Sequence, residues 1–343
     1  MWHKGGRSDL TLRTANIRFL AVIFGLAAAN LAVLLLTIMM GEYSVPIAEV
    51  WMALIGRGQA EYNFVINELR FPRGLVAFLV GCGLALSGAI LQGITRNLLA
   101  APGVMGINAG AALMAVTIII VLPAVPIGVL PFVAFFGALA AAGLTYMLAW
   151  RRGVSPLRLL LVGVGISAMA NAYITFLLTT RQIENVKQAL LWMTGSAYGR
   201  SWEHFWPLLP WLFVLFPCAL FMSRKLDILQ LGDELAIGLG ARIERVRGIL
   251  LLISVSLAGA SVAMAGTIGF VGLMGPHIAR QLVGGTSRML LTASALVGGL
   301  IVMLADLIGR TIFPPIEIPC GIITAAVGAP YLVFLLYRNR NKP

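Results

Sequence analysis

The residues of this sequence that could do chemistry are few, because charged side chains make up only 11% of its 343 residues. Asp306 is the one acidic residue that clearly lies within a long apolar segment, and it lies near the end of that segment. A carrier driven by protons or sodium ions is expected to place an acidic side chain near the middle of such a segment. The scarcity of these acids therefore disfavours an ion-coupled carrier.

Nucleotide chemistry by this chain is disfavoured by a missing motif. The sequence contains no GxxxxGK[ST] loop, whose backbone amides would cradle the phosphates of ATP. Any energy from ATP would have to come from a partner chain. The segment 232–242 is predicted to form a short surface helix, since Asp233 and Glu234 lie at its start, where the helix dipole favours negative charge, and glycines end it.

Cysteine and histidine give no sign of a metal centre. Cys82, Cys218 and Cys320 lie in apolar stretches without a CxxC spacing, which is typical of small buried side chains. His277 stands alone beside a proline at a predicted helix start, and a structural role is expected for it. We predict no catalytic residue and no metal site.

The composition identifies the environment of these residues. An ordinary soluble domain has about 25% charged residues, whereas this chain has 11% and is 59% hydrophobic. Such a chain could not cover itself with polar surface, so a soluble globule is excluded. The net charge of +12 does not indicate nucleic-acid binding, because the basic residues are scattered between long uncharged runs rather than clustered. The sequence predicts an integral membrane protein.

The charge-free runs give the number of membrane-spanning helices, since one crossing needs about 20 apolar residues. Two runs, 97–150 and 248–279, are too long for one crossing and contain prolines and glycines, so each is divided into two helices. The second run is predicted to form one full span, a tight turn and a shorter, glycine-rich eighth helix. The fold class is therefore all-α, with ten predicted transmembrane helices: 19–41, 74–95, two within 97–150, 159–180, 205–223, two within 248–279, 289–305 and 318–337.

The distribution of basic residues orients the chain. With both termini in the cytoplasm, 18 of the 25 lysines and arginines lie inside and seven lie outside, as the positive-inside rule requires. The inner set includes Lys4, Arg152, Arg340 and Lys342, and the outer set includes Arg181. We predict one transmembrane domain over 1–343, with a cytoplasmic N-terminal segment at 1–18 and a cytoplasmic loop at about 224–247.

A weak internal repeat is also visible. Arg-Gly opens an apolar helix at residue 73 and again at residue 247, and each helix is followed by a glycine-rich stretch ending near a proline. In the predicted topology the two units, helices 2–5 and helices 7–10, run in opposite directions. This arrangement is typical of the inverted repeats of transporters.

Several motifs together carry a family resemblance. They are Leu-Arg-Phe-Pro-Arg at 69–73, Leu-Ser-Gly-Ala at 86–89, Asn-Leu-Leu-Ala-Ala-Pro-Gly at 97–103, Gly-Thr-Ile-Gly-Phe-Val-Gly-Leu at 266–273, Pro-His-Ile-Ala-Arg at 276–280 and Glu-Ile-Pro-Cys-Gly-Ile at 317–322. From about residue 20 to 338, their order and spacing resemble those of the FecCD-type permeases. These are the membrane subunits of ABC importers for iron–siderophore complexes, haem and cobalamin, and they have a ten-helix fold.

The resemblance assigns roles to three groups of residues. It implies that Arg70, Arg73 and Arg310 dock a substrate-binding protein on the outer side. It also implies that the loop 232–242 couples the chain to an ATPase, and that a cytoplasmic gate lies after the second helix and before the fifth. The coupling residues are Asp233, Glu234, Ala236, Leu239, Gly240 and Arg242, and the gate residues are Asn97, Leu99 and Ser155.

The resemblance further implies a function for the whole chain. We expect the permease subunit of a bacterial ABC importer in the cytoplasmic membrane, carrying an iron–siderophore complex. Its partners would be a second permease chain, identical or homologous, two ATPase subunits that bind ATP and Mg, and an outer binding protein; no cofactor is expected in this chain. The alternatives are cobalamin or haem as cargo, or an ion-coupled secondary carrier.

Overall fold

The computed structural model describes residues 5–41, 44–151, 153–180 and 183–339, and helices account for most of them. Five basic residues that were counted for the orientation, Lys4, Arg152, Arg181, Arg340 and Lys342, lie outside these ranges. The α-helices are α1 (Gly5–Met39), α2 (Ile47–Leu54), α3 (Ala60–Phe64), α4 (Phe71–Thr95), α5 (Ile107–Val121), α6 (Leu130–Ala149), α7 (Pro156–Thr180), α8 (Ile183–Thr194), α9 (Trp202–Gln230), α10 (Asp233–Gly238), α11 (Ile243–Ala265), α12 (Val271–Val283), α13 (Ser287–Thr311) and α14 (Cys320–Asn339).

The lengths of these helices confirm an all-α integral membrane protein. In the described part of the chain, eight helical segments are long and apolar enough to cross a membrane. The third and eighth predicted spans correspond to α5, with 15 residues, and α12, with 13. At 1.5 Å per residue, α12 is about 20 Å long, which is shorter than the hydrocarbon core. The count of ten crossings and the inverted repeat therefore stay predictions.

The start of α12 explains why it is short. Gly266 and Phe270 both have positive φ angles, +74° and +66°, so residues 266–270 cannot continue α11 into α12. Irregular backbone at membrane depth is tolerated where it is surrounded by protein rather than by lipid. Gly266 and Ile268 are buried here, which meets that condition.

Helix α4 lies at the centre of the molecule. It belongs to the membrane-spanning segment Glu61–Thr95. In the most apolar 18 residues of this segment 89% are buried, compared with 11% in the most apolar 18 residues of α1. A π-helical stretch, Val65–Arg70, joins α3 to α4 without a break. At 1.5 Å per residue, the 25 residues of α4 extend about 37 Å, so its two ends lie at opposite faces of the membrane domain.

Glycines let neighbouring helices approach α4 closely. A Cβ atom at Gly88 would collide with the carbonyl oxygen of Gly272 in α12, and one at Gly81 would collide with that of Gly298 in α13. Small residues at such contacts are the usual means of tight packing between membrane helices. The elements around α4 are thereby held at backbone contact distance.

Candidate functional site

The outer end of α4 carries a buried ion-pair cluster. Arg73 donates from Nε and Nη2 to the carboxylate of Asp306 in α13, at 2.8 to 3.2 Å, and from Nη1 and Nη2 to Glu317, at 3.1 and 2.8 Å. Asp306 is fully enclosed, whereas Glu317 is about one-third exposed. All three nitrogens of the Arg73 guanidinium donate to these carboxylates, so this arginine holds α4 to α13 and to the segment before α14.

Arg70 and Arg310 satisfy the end of α1. Arg70 donates to the carbonyl oxygens of Ile38 and Met39, at 2.8 and 3.2 Å, and Arg310 donates to that of Thr37. The last carbonyl groups of a helix lack partners within the helix, and the dipole there favours cations. Both arginines are buried, so each helps to fix the outer end of α1.

A cavity of about 420 Å³ opens beside this cluster. All three predicted docking arginines line it, together with Glu68, Arg200 and Glu317. A second cavity of about 670 Å³ shares Tyr198, Arg200 and Glu317 with the first and extends to Gln188 and His204. Burial lowers the pKa of the Arg200 guanidinium below its ordinary value. An incoming carboxylate would favour the charged form of this arginine.

The inner end of α4 carries a second ionic cluster, centred on Asp233 at the start of α10. Arg247 of α11 donates from Nη2 to both carboxylate oxygens of Asp233, at 3.1 and 3.2 Å. Arg96, directly after α4, approaches the same carboxylate at 3.5 Å. The side chain of Arg247 is 1% exposed and that of Asp233 is 41% exposed. Asp233 thus connects three elements at the molecular surface.

The remaining predicted coupling residues line or flank α10. Ala236 is buried against the protein, whereas Glu234, Leu239, Gly240 and Arg242 are exposed. Leu235 and Ile237 are also exposed, at 62% and 64%, beside Leu239 at 65%. A group of large apolar side chains at the surface of a short helix is typical of an interaction site. The sequence analysis did not single out Leu235 and Ile237.

The predicted gate residues lie on two separate segments at this inner end. Asn97 follows Arg96, and its side-chain oxygen accepts a hydrogen bond from the Leu99 amide at 2.9 Å. Ser155 directly precedes α7, and its carbonyl oxygen accepts the Leu159 amide at 3.0 Å. Leu99 lines a cavity of about 260 Å³ next to the irregular segment before α12, with Ile268 and Phe270. Both segments adjoin residues of the Asp233 cluster.

Members of both clusters were singled out from the sequence, but their pairing was not predicted. Arg73 was identified but not its pairing with Asp306 and Glu317, and Asp233 was identified but not its pairing with Arg96 and Arg247. These residues are distant in sequence, and only the folded helices bring them together. A usable signal was present for Arg247, because a charged residue so close to a long apolar run is expected to find a partner.

The geometry thus defines a class, a multi-pass membrane protein with a charged cluster at each end of a central helix, and comparisons with known proteins define it further. The FecCD transport family model matches residues 29–338. The chain is 47% identical to the Fe(3+)-citrate import system permease protein YfmE of Bacillus subtilis, covering 82% of this chain and 84% of that protein. It is 41% identical to the Fe(3+) dicitrate transport system permease protein FecD of Escherichia coli, covering 94% and 99%.

A solved structure agrees with these sequence matches. It is described as an inward-facing conformation of a metal-chelate type ABC transporter, and it superposes with a TM-score of 0.84 at 29% sequence identity. The match covers 93% of this chain and 99% of that one. The chain belongs to the FecCD transport family. It is a multi-pass protein of the inner membrane and a transport permease subunit.

Proposed function

We propose that this chain is the permease subunit of a bacterial ABC importer that translocates an iron(III) chelate across the cytoplasmic membrane. The observation that carries the proposal is the similarity over nearly the whole chain to permeases whose names specify Fe(3+)-citrate, iron(3+)-hydroxamate and achromobactin. The cargo class is the siderophore or citrate complex of iron; cobalamin or haem would be the alternative. A separate ATPase subunit binds ATP and Mg and hydrolyses the ATP.

The partner chains follow from the same proposal. Two permease chains, identical or homologous, form the pathway between them, and two ATPase subunits bind the cytoplasmic face. A binding protein delivers the chelate from outside. The separation of the two ionic clusters to opposite ends of α4 supports this division, because each end offers a distinct surface.

The ATPase is proposed to bind at α10 through the exposed apolar side chains of Leu235, Ile237 and Leu239. Full burial of a leucine side chain stabilises an interface by about 1.5–3 kcal/mol, and about 1.4 kcal/mol corresponds to tenfold in affinity. We expect the double substitution Leu235→Ser and Leu239→Ser to reduce the ATPase that co-purifies with the permease at least tenfold.

The matched control for this experiment is Leu122→Ser. Leu122 is 49% exposed and follows α5 at the other end of the molecule, so its substitution should leave the co-purified ATPase unchanged. Full retention of the ATPase by the α10 double variant would refute docking at α10. Equal loss in the Leu122 variant would show general damage to the membrane domain.

The binding protein is proposed to dock over the outer cavity through Arg70, Arg73 and Arg310. These arginines also have internal partners, so a simple loss of binding could reflect local damage. Substitutions that remove a charge test the docking more sharply, because removing a positive and a negative charge should change the affinity in opposite directions. Glu68 provides the negative charge, since it lines the same cavity and is exposed. Acidic groups on the partner should be attracted by the arginines and repelled by Glu68.

We therefore expect Arg70→Gln to weaken the affinity for loaded binding protein about fivefold, because it removes a positive charge that lines the cavity. Glu68→Gln should strengthen the affinity about twofold, consistent with the small energies of exposed charges. Surface plasmon resonance on the detergent-solubilised transporter would measure both. Raising the salt concentration should reduce the difference between the variants. A shift in the same direction for both variants would contradict electrostatic docking.

A further inference from the structure

Arg247 is an unusual residue because a full positive charge is enclosed at the inner end of the helical bundle. Its side chain is 1% exposed, and burial of a charge is costly unless the charge is paired and hydrogen-bonded. The guanidinium contacts the Asp233 carboxylate, the Glu244 carboxylate at 3.3 Å and the carbonyl oxygen of Val154. Three different segments are therefore held by one side chain.

The hydrogen bond from Arg247 to the Val154 carbonyl connects α11 to the segment that contains Ser155. Glu244 completes the connection, since its carboxylate accepts the Val154 amide at 3.2 and 3.3 Å. Both backbone polar groups of Val154 are thus held by Arg247 and Glu244, and Val154 itself is buried. The loop before α7 is therefore attached to α11 by charged groups rather than by apolar packing alone.

The ion pair between Asp233 and Arg96 connects α10 to the other gate segment, which begins at Asn97. Arg96 directly precedes Asn97 and has a left-handed backbone conformation, with φ of +55°. Its guanidinium lies 3.5 Å from the Asp233 carboxylate. Asp233, at the first position of α10, is consequently paired with two arginines. One of them leads to the segment at 97–99 and the other to the segment at 154–155.

We propose that Asp233 and Arg247 form a relay that transmits displacement of α10 to both gate segments. This inference rests on the proposed function, and it assigns Arg96, Arg247 and Glu244 as positioning residues that the sequence analysis did not identify. A shift of α10 moves the Asp233 carboxylate. Arg247 follows it because this carboxylate accepts two of the hydrogen bonds of the buried guanidinium, and Arg96 follows it as its ion-pair partner. Arg247 then repositions Val154, and Arg96 repositions the turn that begins at Asn97.

The relay is tested first in the complete transporter, with both permease chains, the ATPase and the binding protein in proteoliposomes and radiolabelled iron(III) citrate as the probe. Asp233→Asn keeps the shape of the side chain and removes its charge. We expect import per ATP hydrolysed to fall about tenfold, within the usual range of coupling between sites, while the co-purified ATPase stays within twofold of the wild type. Asp233→Glu, which keeps the carboxylate, should retain at least half of the import.

Arg288→Gln is the control, because Arg288 is an exposed arginine at the same end of the molecule and has no part in the relay. It should behave as the wild type. Normal import per ATP in Asp233→Asn would overturn the relay, and so would loss of the ATPase from that variant, since Asp233 would then act in docking. Absence of ATP-dependent import in the wild type would instead refute the proposed function.

The physical link is tested independently of transport by hydrogen exchange on the solubilised permease. Asp233→Asn should speed amide exchange at 153–159 at least fivefold, because Arg247 loses one of the two carboxylates that hold it in place. Arg288→Gln should leave exchange in this segment unchanged. Unchanged exchange in Asp233→Asn would overturn the relay even if the chain proves to be an importer subunit.

Discussion

At the scale of single residues, Asp306 pairs with Arg73, and this pairing argues against a role for Asp306 in binding a transported ion. Asp306 is the acidic residue that an ion-coupled carrier would need, yet its carboxylate accepts three hydrogen bonds from Arg73. A carboxylate that is held this tightly by a permanent cation is poorly suited to bind and release a proton or sodium ion. The structure therefore adds an argument against the carrier, beyond the scarcity of intramembrane acids.

The ion-pair cluster makes a quantitative prediction about stability. Asp306 is enclosed and Glu317 is partly exposed, so their substitutions should differ although both pair with Arg73. Breaking a buried pair costs about 3–5 kcal/mol, whereas an exposed pair contributes about 0–1 kcal/mol. We expect Asp306→Asn to lower the free energy of unfolding by about 3 kcal/mol and Glu317→Gln by about 1 kcal/mol.

Denaturant unfolding in detergent micelles would measure this difference, with Glu68→Gln as a control that removes an exposed carboxylate nearby. Equal effects of the Asp306 and Glu317 substitutions would contradict the assignment of Asp306 as the structural partner. An Asp306→Asn variant that is fully stable but has lost all transport would instead support an ion-coupled carrier.

At the scale of elements, the sequence predicted the long helices well because charge-free runs measure the length of chain that can lie in lipid. It did not predict the interfacial helices α2 and α8, whose polar residues interrupt such runs, or the π-helical stretch before α4. It predicted a tight turn and a shorter, glycine-rich helix where α12 lies, but not the positive φ at Gly266 and Phe270, because counting apolar residues does not detect this property of the backbone. The arginines that are predicted to dock the binding protein were found from a motif, but their internal partners are visible only in the fold.

Close packing around α4 makes a prediction at this scale. A methyl group at Gly88 would collide with the Gly272 carbonyl oxygen, whereas one at Gly143 in α6 would meet no atom within 4 Å. Overpacking costs about 1–3 kcal/mol, while alanine is more favourable than glycine within a helix by about 1 kcal/mol. We expect Gly88→Ala to lower the thermal midpoint of the solubilised protein and Gly143→Ala to leave it unchanged or raise it.

This pair of variants separates a specific contact from a general intolerance of substitution. A stable Gly88→Ala variant would show that α4 and α12 can separate without cost, which would contradict the tight packing. Reduced transport in a Gly88→Ala variant of normal stability would indicate that the contact also changes during the transport cycle.

At the scale of the whole molecule, the two ionic clusters give the chain two different ends. The outer end combines arginines, carboxylates and open cavities, and the inner end presents the apolar surface of α10 beside the two segments that carry Asn97 and Ser155. The predicted orientation assigned these same residues to opposite sides of the membrane from charge counts alone. Orientation itself stays a prediction, because it depends on the membrane.

This chain is predicted to transport only as one part of an ATP-driven assembly. The most direct measurement is uptake of radiolabelled iron(III) citrate by proteoliposomes that contain the permease with or without its partner permease, the ATPase and the loaded binding protein. Uptake is predicted to require every component together with ATP, and to be absent when the chain is reconstituted alone with an imposed proton or sodium gradient. Gradient-driven uptake by the chain alone, without ATPase or ATP, would contradict the account.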